Sequence, residues 1–173
     1  RQSPSLSFVK MISFVEFVSF ASQVTNFLSE YLGQDFPRVA TWNYKDDGSR
    51  ITQADLFIED TIRKAIIEKF PEHGILGEER EPVNPEAQVS WILDPIDGTY
   101  SYSNGVPFFG TLIGLLYKSE VQFGFLRLPF LNDDWLAGDG RTALLNGVEH
   151  LPNPPTLFQD SLILTTDYRT IHC

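Results

Sequence analysis

Cysteine is almost missing from this chain of 173 residues, since the only one is Cys173. A single cysteine excludes an internal disulfide framework and a cysteine-rich zinc site. Asn-x-Ser/Thr glycosylation sequons are missing as well. These two absences favour a reducing intracellular compartment, and we predict a cytoplasmic protein.

Basic residues are scarce: 13 Lys and Arg stand against 23 Asp and Glu, for a net charge of −10. This charge is a poor match to nucleic acid, which binds basic surfaces, so we predict no nucleic-acid partner. It would also suit a phosphate-binding protein poorly, unless divalent cations reverse the local charge.

Several common catalytic motifs are also missing. The sequence contains no Gly-x-x-x-x-Gly-Lys-Ser/Thr, no Gly-x-Gly-x-x-Gly and no Gly-x-Ser-x-Gly. Their absence argues against a P-loop, a dinucleotide fingerprint and a serine-hydrolase elbow. The three histidines, His73, His150 and His172, do not have the spacing of zinc ligands.

No apolar run is long and uninterrupted enough to indicate a membrane span, which needs about 20 mostly apolar residues. Residues 8–28 are rich in Phe and Val, but Lys10 and Glu16 interrupt them. Polar residues recur there every three or four positions: Ser13, Glu16, Ser19, Gln23, Asn26 and Glu30. This period predicts an amphipathic helix over 5–32, ended by Gly33, and no membrane partner; a signal peptide is the alternative.

The rest of the chain predicts one further helix and then strands. Residues 34–50 read as a loop with a turn at 45–49, and a helix starts at Thr52 and stops at Pro71. Apolar runs predict strands at 89–93, 109–117, 121–128, 134–137, 142–145 and 161–165. Helices followed by strands indicate an α+β fold, with N-terminal helices packed on a largely antiparallel sheet in a single domain over 1–173.

The most informative stretch is residues 91–99, where Asp94 and Asp97 flank a proline and are followed by Gly98 and Thr99. Two carboxylates about 4 Å apart repel by roughly 1–4 kcal/mol, and a cation removes this cost. Carboxylate oxygens are ligands that Mg²⁺ prefers, and backbone N–H groups after a glycine can bind phosphate. The alternative is an ordinary turn after a strand, because Asp, Pro and Gly all favour turns.

Two upstream clusters add candidate residues. Glu78, in the Gly-Glu-Glu sequence at 77–79, is a third candidate carboxylate, although adjacent acids usually lie in a solvated loop. Lys45 and Asp47 belong to a turn, and Asp55 has the spacing of a capping box with Thr52. Each of the residues in this second cluster has a structural explanation that stands beside a functional one.

Taken together, these residues resemble the inositol monophosphatase-like phosphatases, which depend on Mg²⁺ and are sensitive to lithium. Three blocks carry the resemblance in the family's order: residues 45–55, 77–79 and 91–99. Residues 106–113 and 144–147 extend it, and 109–112 are most similar to the histidinol-phosphate phosphatase branch. Tyr100 departs from the pattern, where Lys or Thr is expected.

The resemblance implies a role for each matching residue. Glu78, Asp94 and the carbonyl of Ile96 would hold a first Mg²⁺, and Asp94 would bridge to a second held by Asp97, for two or three ions in all. Gly98 and Thr99 would bind phosphate through backbone N–H groups, and Lys45 would lie on a loop over the site. Glu78 and Thr99, with Asp55 behind Thr99, would orient and deprotonate the attacking water. The substrate would be a small phosphorylated alcohol, of the histidinol phosphate or inositol monophosphate type.

The resemblance also implies that the match covers only the N-terminal part of a layered αβαβα sugar-phosphatase fold. None of Trp42, Trp91 and Trp135 precedes an aspartate, whereas the family has a Trp-Asp motif that completes the second metal site. We therefore expect a fragment without the C-terminal part, with impaired activity, from a family whose full-length members form homodimers. The alternatives are a non-catalytic metal- and phosphate-binding remnant, and a related sugar- or nucleotide-phosphate phosphatase.

Overall fold

The computed structural model describes residues 11–150 apart from 35, 37, 39, 132 and 133, and the backbone alone at 134. The helices are α1 (Phe14–Thr25), α2 (Leu28–Gly33), α3 (Gln53–Lys69) and α4 (Thr99–Ser103). The strands are β1 (Trp42–Tyr44), β2 (Arg50–Thr52), β3 (Gly74–Gly77), β4 (Val89–Asp97), β5 (Gly110–Tyr117), β6 (Glu120–Leu128), β7 (Asp134–Gly138), β8 (Ala143–Leu145) and β9 (Val148–His150). The predicted strand at 161–165 lies outside the described residues.

The described strands β3 to β9 form one sheet in which neighbours in sequence are also neighbours in space. Only β3 and β4 run parallel, and every other pair is antiparallel. A separate hairpin pairs β1 with β2. The predicted α+β class, with a largely antiparallel sheet, is therefore confirmed.

The predicted first helix is amphipathic, but a single helix to residue 32 is wrong. Ser13 begins α1 with a capping box, in which Glu16 accepts a hydrogen bond from the Ser13 N–H at 2.8 Å. The helix ends at Thr25, whose hydroxyl donates to the Ala21 carbonyl at 2.8 Å, and α2 starts three residues later. Such a hydroxyl competes with the backbone ladder and favours a break. Residues 5–10 lie outside the described part.

Helices α1 and α3 pack on the sheet around Trp91, which is fully buried. The Trp91 ring lies 5.7 Å from Phe17 and 5.1 Å from Phe20 between ring centroids. Its indole N–H donates to Nδ1 of His73 at 3.0 Å, so this buried polar atom is satisfied. No helix among the described residues is long and apolar enough to cross a membrane.

Candidate functional site

Strand β4 continues through Pro95 to Asp97, so the predicted end of this strand at residue 93 is wrong. The pairing with β5 shifts register between Asp94 and Asp97, which is a bulge. Pro95 has no N–H to leave unpaired there, and its carbonyl accepts a hydrogen bond from the Thr111 hydroxyl at 2.7 Å. The bulge lets both carboxylates lie at one end of the strand, with Asp94 half-buried and Asp97 exposed.

Asp94 lies in a strongly unfavourable electrostatic environment for an ionised carboxylate. Burial, with the negative charges of Glu78, Asp97 and Asp55, raises the pKa of Asp94 to about 8. Its Oδ1 atom is buried and has no hydrogen-bond partner among the described residues. An oxygen of this kind fits a bound cation, because buried polar atoms otherwise nearly always have a partner.

The parallel pairing of β3 with β4 brings Glu78 beside this end of β4. Gly77 pairs with Leu93, and the Glu78 N–H donates to the Leu93 carbonyl at 3.1 Å. In contrast to Asp94, the Glu78 side chain is substantially exposed, at 42%. Gly77 is the last residue of β3, a strand that was not predicted from the sequence.

Lys45, on the β1–β2 hairpin, forms ion pairs with Glu78 and Glu79. Its Nζ atom lies 2.6 Å from Oε1 of Glu78 and 2.7 Å from Oε1 of Glu79. Burial lowers the pKa of Lys45, but the hydrogen bonds and charges of the two glutamates outweigh this and raise it to about 12. Burial also raises the pKa of Glu79, against the effect of Lys45. Lys45 is thus a firmly charged partner of Glu78.

The hairpin that carries Lys45 was predicted only as a loop, although its turn was predicted correctly. The turn at 45–49 is closed by Asp47, which accepts the Ser49 N–H at 2.9 Å and the Ser49 hydroxyl at 2.7 Å. These hydrogen bonds lower the pKa of the exposed Asp47 carboxyl. Gly48 has φ +83°, a backbone conformation that favours glycine. Asp47 therefore has a structural role in the turn.

Asp55 combines the capping role with a contact to the site. Its Oδ2 accepts the N–H of Thr52 at 2.8 Å and also the Thr52 hydroxyl, which completes the predicted capping box. Its Oδ1 accepts the Thr99 hydroxyl at 3.3 Å, and the same hydroxyl lies 3.0 Å from the Ile96 carbonyl. Burial raises the pKa of Asp55, while the hydrogen bonds from Thr52 oppose this rise.

Gly98 makes the turn from β4 into α4. Its φ is +92°, and a Cβ atom there would lie 3.1 Å from the Phe108 carbonyl oxygen. Both facts explain why glycine stands at this position. Helix α4 starts at Thr99, so the N–H groups at its start are not used by the helix itself.

Tyr100, the departure from the expected motif, belongs to an aromatic clamp on Arg50. The guanidinium carbon lies 4.0 Å from the Trp42 ring centroid and 4.2 Å from the Tyr100 ring centroid. Arg50 also donates to the Ser103 hydroxyl at 2.7 Å. These cation–π contacts join the β1–β2 hairpin to α4, and so join the element of Lys45 to that of Thr99.

Two residues near the site were not predicted from the sequence. Glu59 and Arg63 of α3 are buried and ion-paired, and they bind the backbone that follows Glu78. The sequence did carry a signal for this ion pair. Glu59 and Arg63 have opposite charges four residues apart, and each directly follows an apolar residue of the buried stripe of α3.

The predicted side chains thus come from five elements that meet at the end of β4: the β1–β2 hairpin, α3, the end of β3, β4 itself and α4. As they stand, no three His, Cys, Asp or Glu side chains in the described part of the chain form a group that could hold a metal ion. The ammonium of Lys45 occupies one oxygen of Glu78 in this arrangement. The donor set still fits Mg²⁺ chemically, since it is made of oxygens with one buried and unpartnered.

The chain is similar in sequence and in fold to known proteins. A "Bifunctional phosphatase IMPL2, chloroplastic" of Arabidopsis thaliana is 43% identical over 105 residues, which are 60% of this chain and 30% of that protein. A histidinol-phosphatase of Chlorobaculum parvum is 39% identical over 103 residues, or 60% of this chain and 40% of that protein. The solved structure of the extragenic suppressor protein suhB of Bartonella henselae superposes with a TM-score of 0.70 at 27% identity, covering 78% of this chain and 53% of that one.

This chain therefore spans less than two thirds of the length of the relatives that it matches. The model of the inositol monophosphatase family matches residues 14–170, which is most of the chain. The predicted resemblance is confirmed: the chain belongs to the inositol monophosphatase family.

Proposed function

We propose that this protein hydrolyses a small phosphate monoester in a reaction that depends on Mg²⁺. The single observation that carries the proposal is the buried Oδ1 of Asp94, which has no hydrogen-bond partner among the described residues. It lies among the charges of Glu78, Asp97 and Asp55, which make an ionised Asp94 unfavourable without a cation. Membership of the inositol monophosphatase family supports the reaction class.

Four oxygen donors would hold two or three Mg²⁺ ions: the side chains of Glu78, Asp94 and Asp97 and the carbonyl of Ile96. When bound, such ions neutralise charge on the phosphate and lower the pKa of water. Glu78 has a second role in the proposal, because its other oxygen can orient the attacking water. In the described part of the chain, Glu78 already binds one positive charge, the ammonium of Lys45. This ion pair supports the affinity of the proposed ligands for cations.

Thr99 and Asp55 would handle the proton of that water. The Thr99 hydroxyl has one hydrogen, with Oδ1 of Asp55 at 3.3 Å and the Ile96 carbonyl at 3.0 Å as its acceptors, and donating it to either leaves the oxygen lone pairs free to accept from water. The raised pKa of Asp55 makes its carboxylate a stronger base than an exposed aspartate. As the water oxygen would bond to phosphorus, the ester P–O bond would break; the leaving oxygen would take up a proton from solvent and depart as the alcohol, with inorganic phosphate as the second product.

The phosphate would be held by backbone N–H groups of Gly98 and Thr99. The positive φ of Gly98 and the missing Cβ leave its backbone accessible at this turn. Lys45 would contribute a positive charge from the hairpin above the site. Histidinol phosphate and inositol monophosphate are the proposed substrate types, and the histidinol-phosphatase relative favours the former.

The first test is Mg²⁺ binding to the 173-residue chain by isothermal titration calorimetry. We expect the wild type to bind Mg²⁺ and Asp94→Asn to lose this binding. Glu86→Gln, in the exposed loop between β3 and β4, removes the same charge and is expected to bind as the wild type. Equal Mg²⁺ affinity of the wild type and Asp94→Asn would refute the proposed role of Asp94.

The second test is turnover with Mg²⁺ on histidinol phosphate, inositol monophosphate, fructose bisphosphate and phosphoadenosine phosphate. A preference among these four substrates would distinguish the proposed substrate type from the related sugar- and nucleotide-phosphate phosphatases. Mg²⁺ binding without turnover on any of them would instead support the non-catalytic alternative for this chain. The expected homodimer of full-length members of the family and the cytoplasmic location both stay predictions.

A further inference from the structure

A buried ion pair in α3 lies behind the segment that carries Glu78. The Nε of Arg63 donates to Oε1 of Glu59 at 2.7 Å. The Glu59 side chain is fully buried, and 8% of the Arg63 side chain is exposed. Burying two charges costs several kcal/mol per ion before their attraction is counted, so the pair requires an explanation.

The two side chains bind three consecutive residues of the backbone just after Glu78. Oε2 of Glu59 accepts the N–H of Glu79 at 2.7 Å. The two terminal nitrogens of Arg63 donate to the carbonyl of Arg80 at 2.9 Å and to the carbonyl of Glu81 at 3.0 Å. A planar guanidinium can bind two carbonyls in this way because its donors form a rigid fork.

Gly77, on the other side of Glu78, leaves the space that the ion pair needs. A Cβ atom on Gly77 would lie only 2.0 Å from Oε1 of Glu59 and 2.7 Å from a terminal nitrogen of Arg63. The backbone before Glu78 therefore lies directly against the same ion pair that holds the backbone after it. Glu78 is fixed from both sides by one buried group.

A second contact between α3 and this segment lies at the surface. Arg80 donates to both oxygens of Asp60, at 2.9 and 2.6 Å, but about half of each side chain is exposed. An exposed ion pair of this kind contributes little to stability. A buried pair is also weak evidence for stability, since apolar residues often replace one without loss. Apolar residues in place of Glu59 and Arg63 could not make the hydrogen bonds that this pair makes to the backbone.

We propose that Glu59 and Arg63 are positioning residues, which hold residues 79–81 so that the carboxylate of Glu78 stays beside Asp94 at the metal site. This inference rests on the proposed function of Glu78 as a metal ligand. Residues that orient metal ligands from behind typically change metal affinity by about 10- to 100-fold when they are replaced.

Two variants test the proposal. Glu59→Gln keeps the shape and one acceptor oxygen but removes the charge. Arg63→Lys keeps a positive charge beside Glu59 but cannot bind both carbonyls, so it carries the test if Glu59→Gln does not fold. Asp60→Asn is the matched control, because it makes the same change, loss of the charge and of one acceptor oxygen, in the exposed contact between the same helix and the same segment.

Mg²⁺ affinity, urea unfolding and amide hydrogen exchange in EDTA are measured for each protein. We expect both variants to bind Mg²⁺ about tenfold more weakly or worse, with faster exchange of the Glu79 amide, while Asp60→Asn matches the wild type. A purely structural role would lower stability and leave the Mg²⁺ affinity of the folded protein unchanged, and that result would overturn the proposal.

The exchange measurement separates this proposal from the metal site itself. If the wild type binds no Mg²⁺, the proposed function fails, and amide exchange alone then decides whether the ion pair positions this segment. Unchanged exchange of the Glu79 amide in folded Arg63→Lys and Glu59→Gln would overturn the positioning role whatever the result with Mg²⁺.

Discussion

Replacing Asp94 with asparagine should stabilise the metal-free protein at mildly alkaline pH. The reason is that burial and neighbouring negative charges raise the pKa of Asp94 from an ordinary value of 3.8 to about 8. Between these two values the folded protein keeps a proton that the unfolded chain has lost. The contribution of this carboxyl to stability is therefore greatest below about pH 4 and falls as the pH rises towards 8.

The size of this effect follows from the two pKa values. One carboxyl changes the free energy of unfolding by about 1.4 kcal/mol per pH unit within this window, or roughly 4 kcal/mol between pH 5 and pH 8. Asp94 is only half-buried, so screening by solvent reduces the expected change to about 1–2 kcal/mol. Asparagine has the same shape and does not titrate, so this share of the pH dependence should disappear in Asp94→Asn.

The assay is urea unfolding in EDTA at pH 5 and pH 8, followed by tryptophan fluorescence, to which the buried Trp91 contributes beside Trp42 and Trp135. Glu120→Gln, at the exposed first residue of β6, controls for the loss of one negative charge. Saturating Mg²⁺ should reverse the order, since a ligand at 100 times its Kd stabilises the protein that binds it by about 2.7 kcal/mol. A variant that is less stable than the wild type in EDTA at pH 8, with an unchanged pH dependence, would refute the reasoning.

Three further substitutions test other contacts of the site. Lys45→Met should tighten Mg²⁺ binding several-fold by calorimetry, because it removes the ammonium that competes for Glu78; weaker binding would contradict this. Gly77→Ala should lower the free energy of unfolding in urea by roughly 1–3 kcal/mol, because the new methyl group overlaps the Glu59 carboxylate; wild-type stability would show that the segment moves freely. Thr52→Ala should cost about 1 kcal/mol in the same assay through loss of the α3 cap, and no loss would mean that another group caps the helix.

Local patterns were sufficient for much of the fold. The exposed polar stripe of α1, the capping box at Thr52 and the strands β5 and β6 were all predicted from local patterns. These features depend on contacts between residues a few positions apart, which sequence spacing encodes directly. The break after Thr25 was missed because a hydroxyl in a helix can point either to solvent or to the backbone.

Long-range pairing decided the features that were missed. Strand β4 passes through Pro95 because its pairing with β5 accommodates a bulge there. From the sequence alone, a proline predicts a turn at least as well as a bulged strand. Strand β3 forms by parallel pairing with β4. Its own segment is too short to show the alternation of apolar and polar residues that predicts a strand.

The sequence by itself determined the family of this chain and the candidate ligands: the residues at 45–55, 77–79 and 91–99 carry the family resemblance and include those proposed to hold Mg²⁺. Only the tertiary structure decided how these residues interact, because the interacting residues are separated by about 15 to 50 positions in the sequence. It paired Lys45 with Glu78, left Oδ1 of Asp94 buried without a partner in the described part, and put the Glu59–Arg63 pair behind the Glu78 segment. Burial and proximity between distant segments set these charges against one another, and neither quantity can be read from the order of residues.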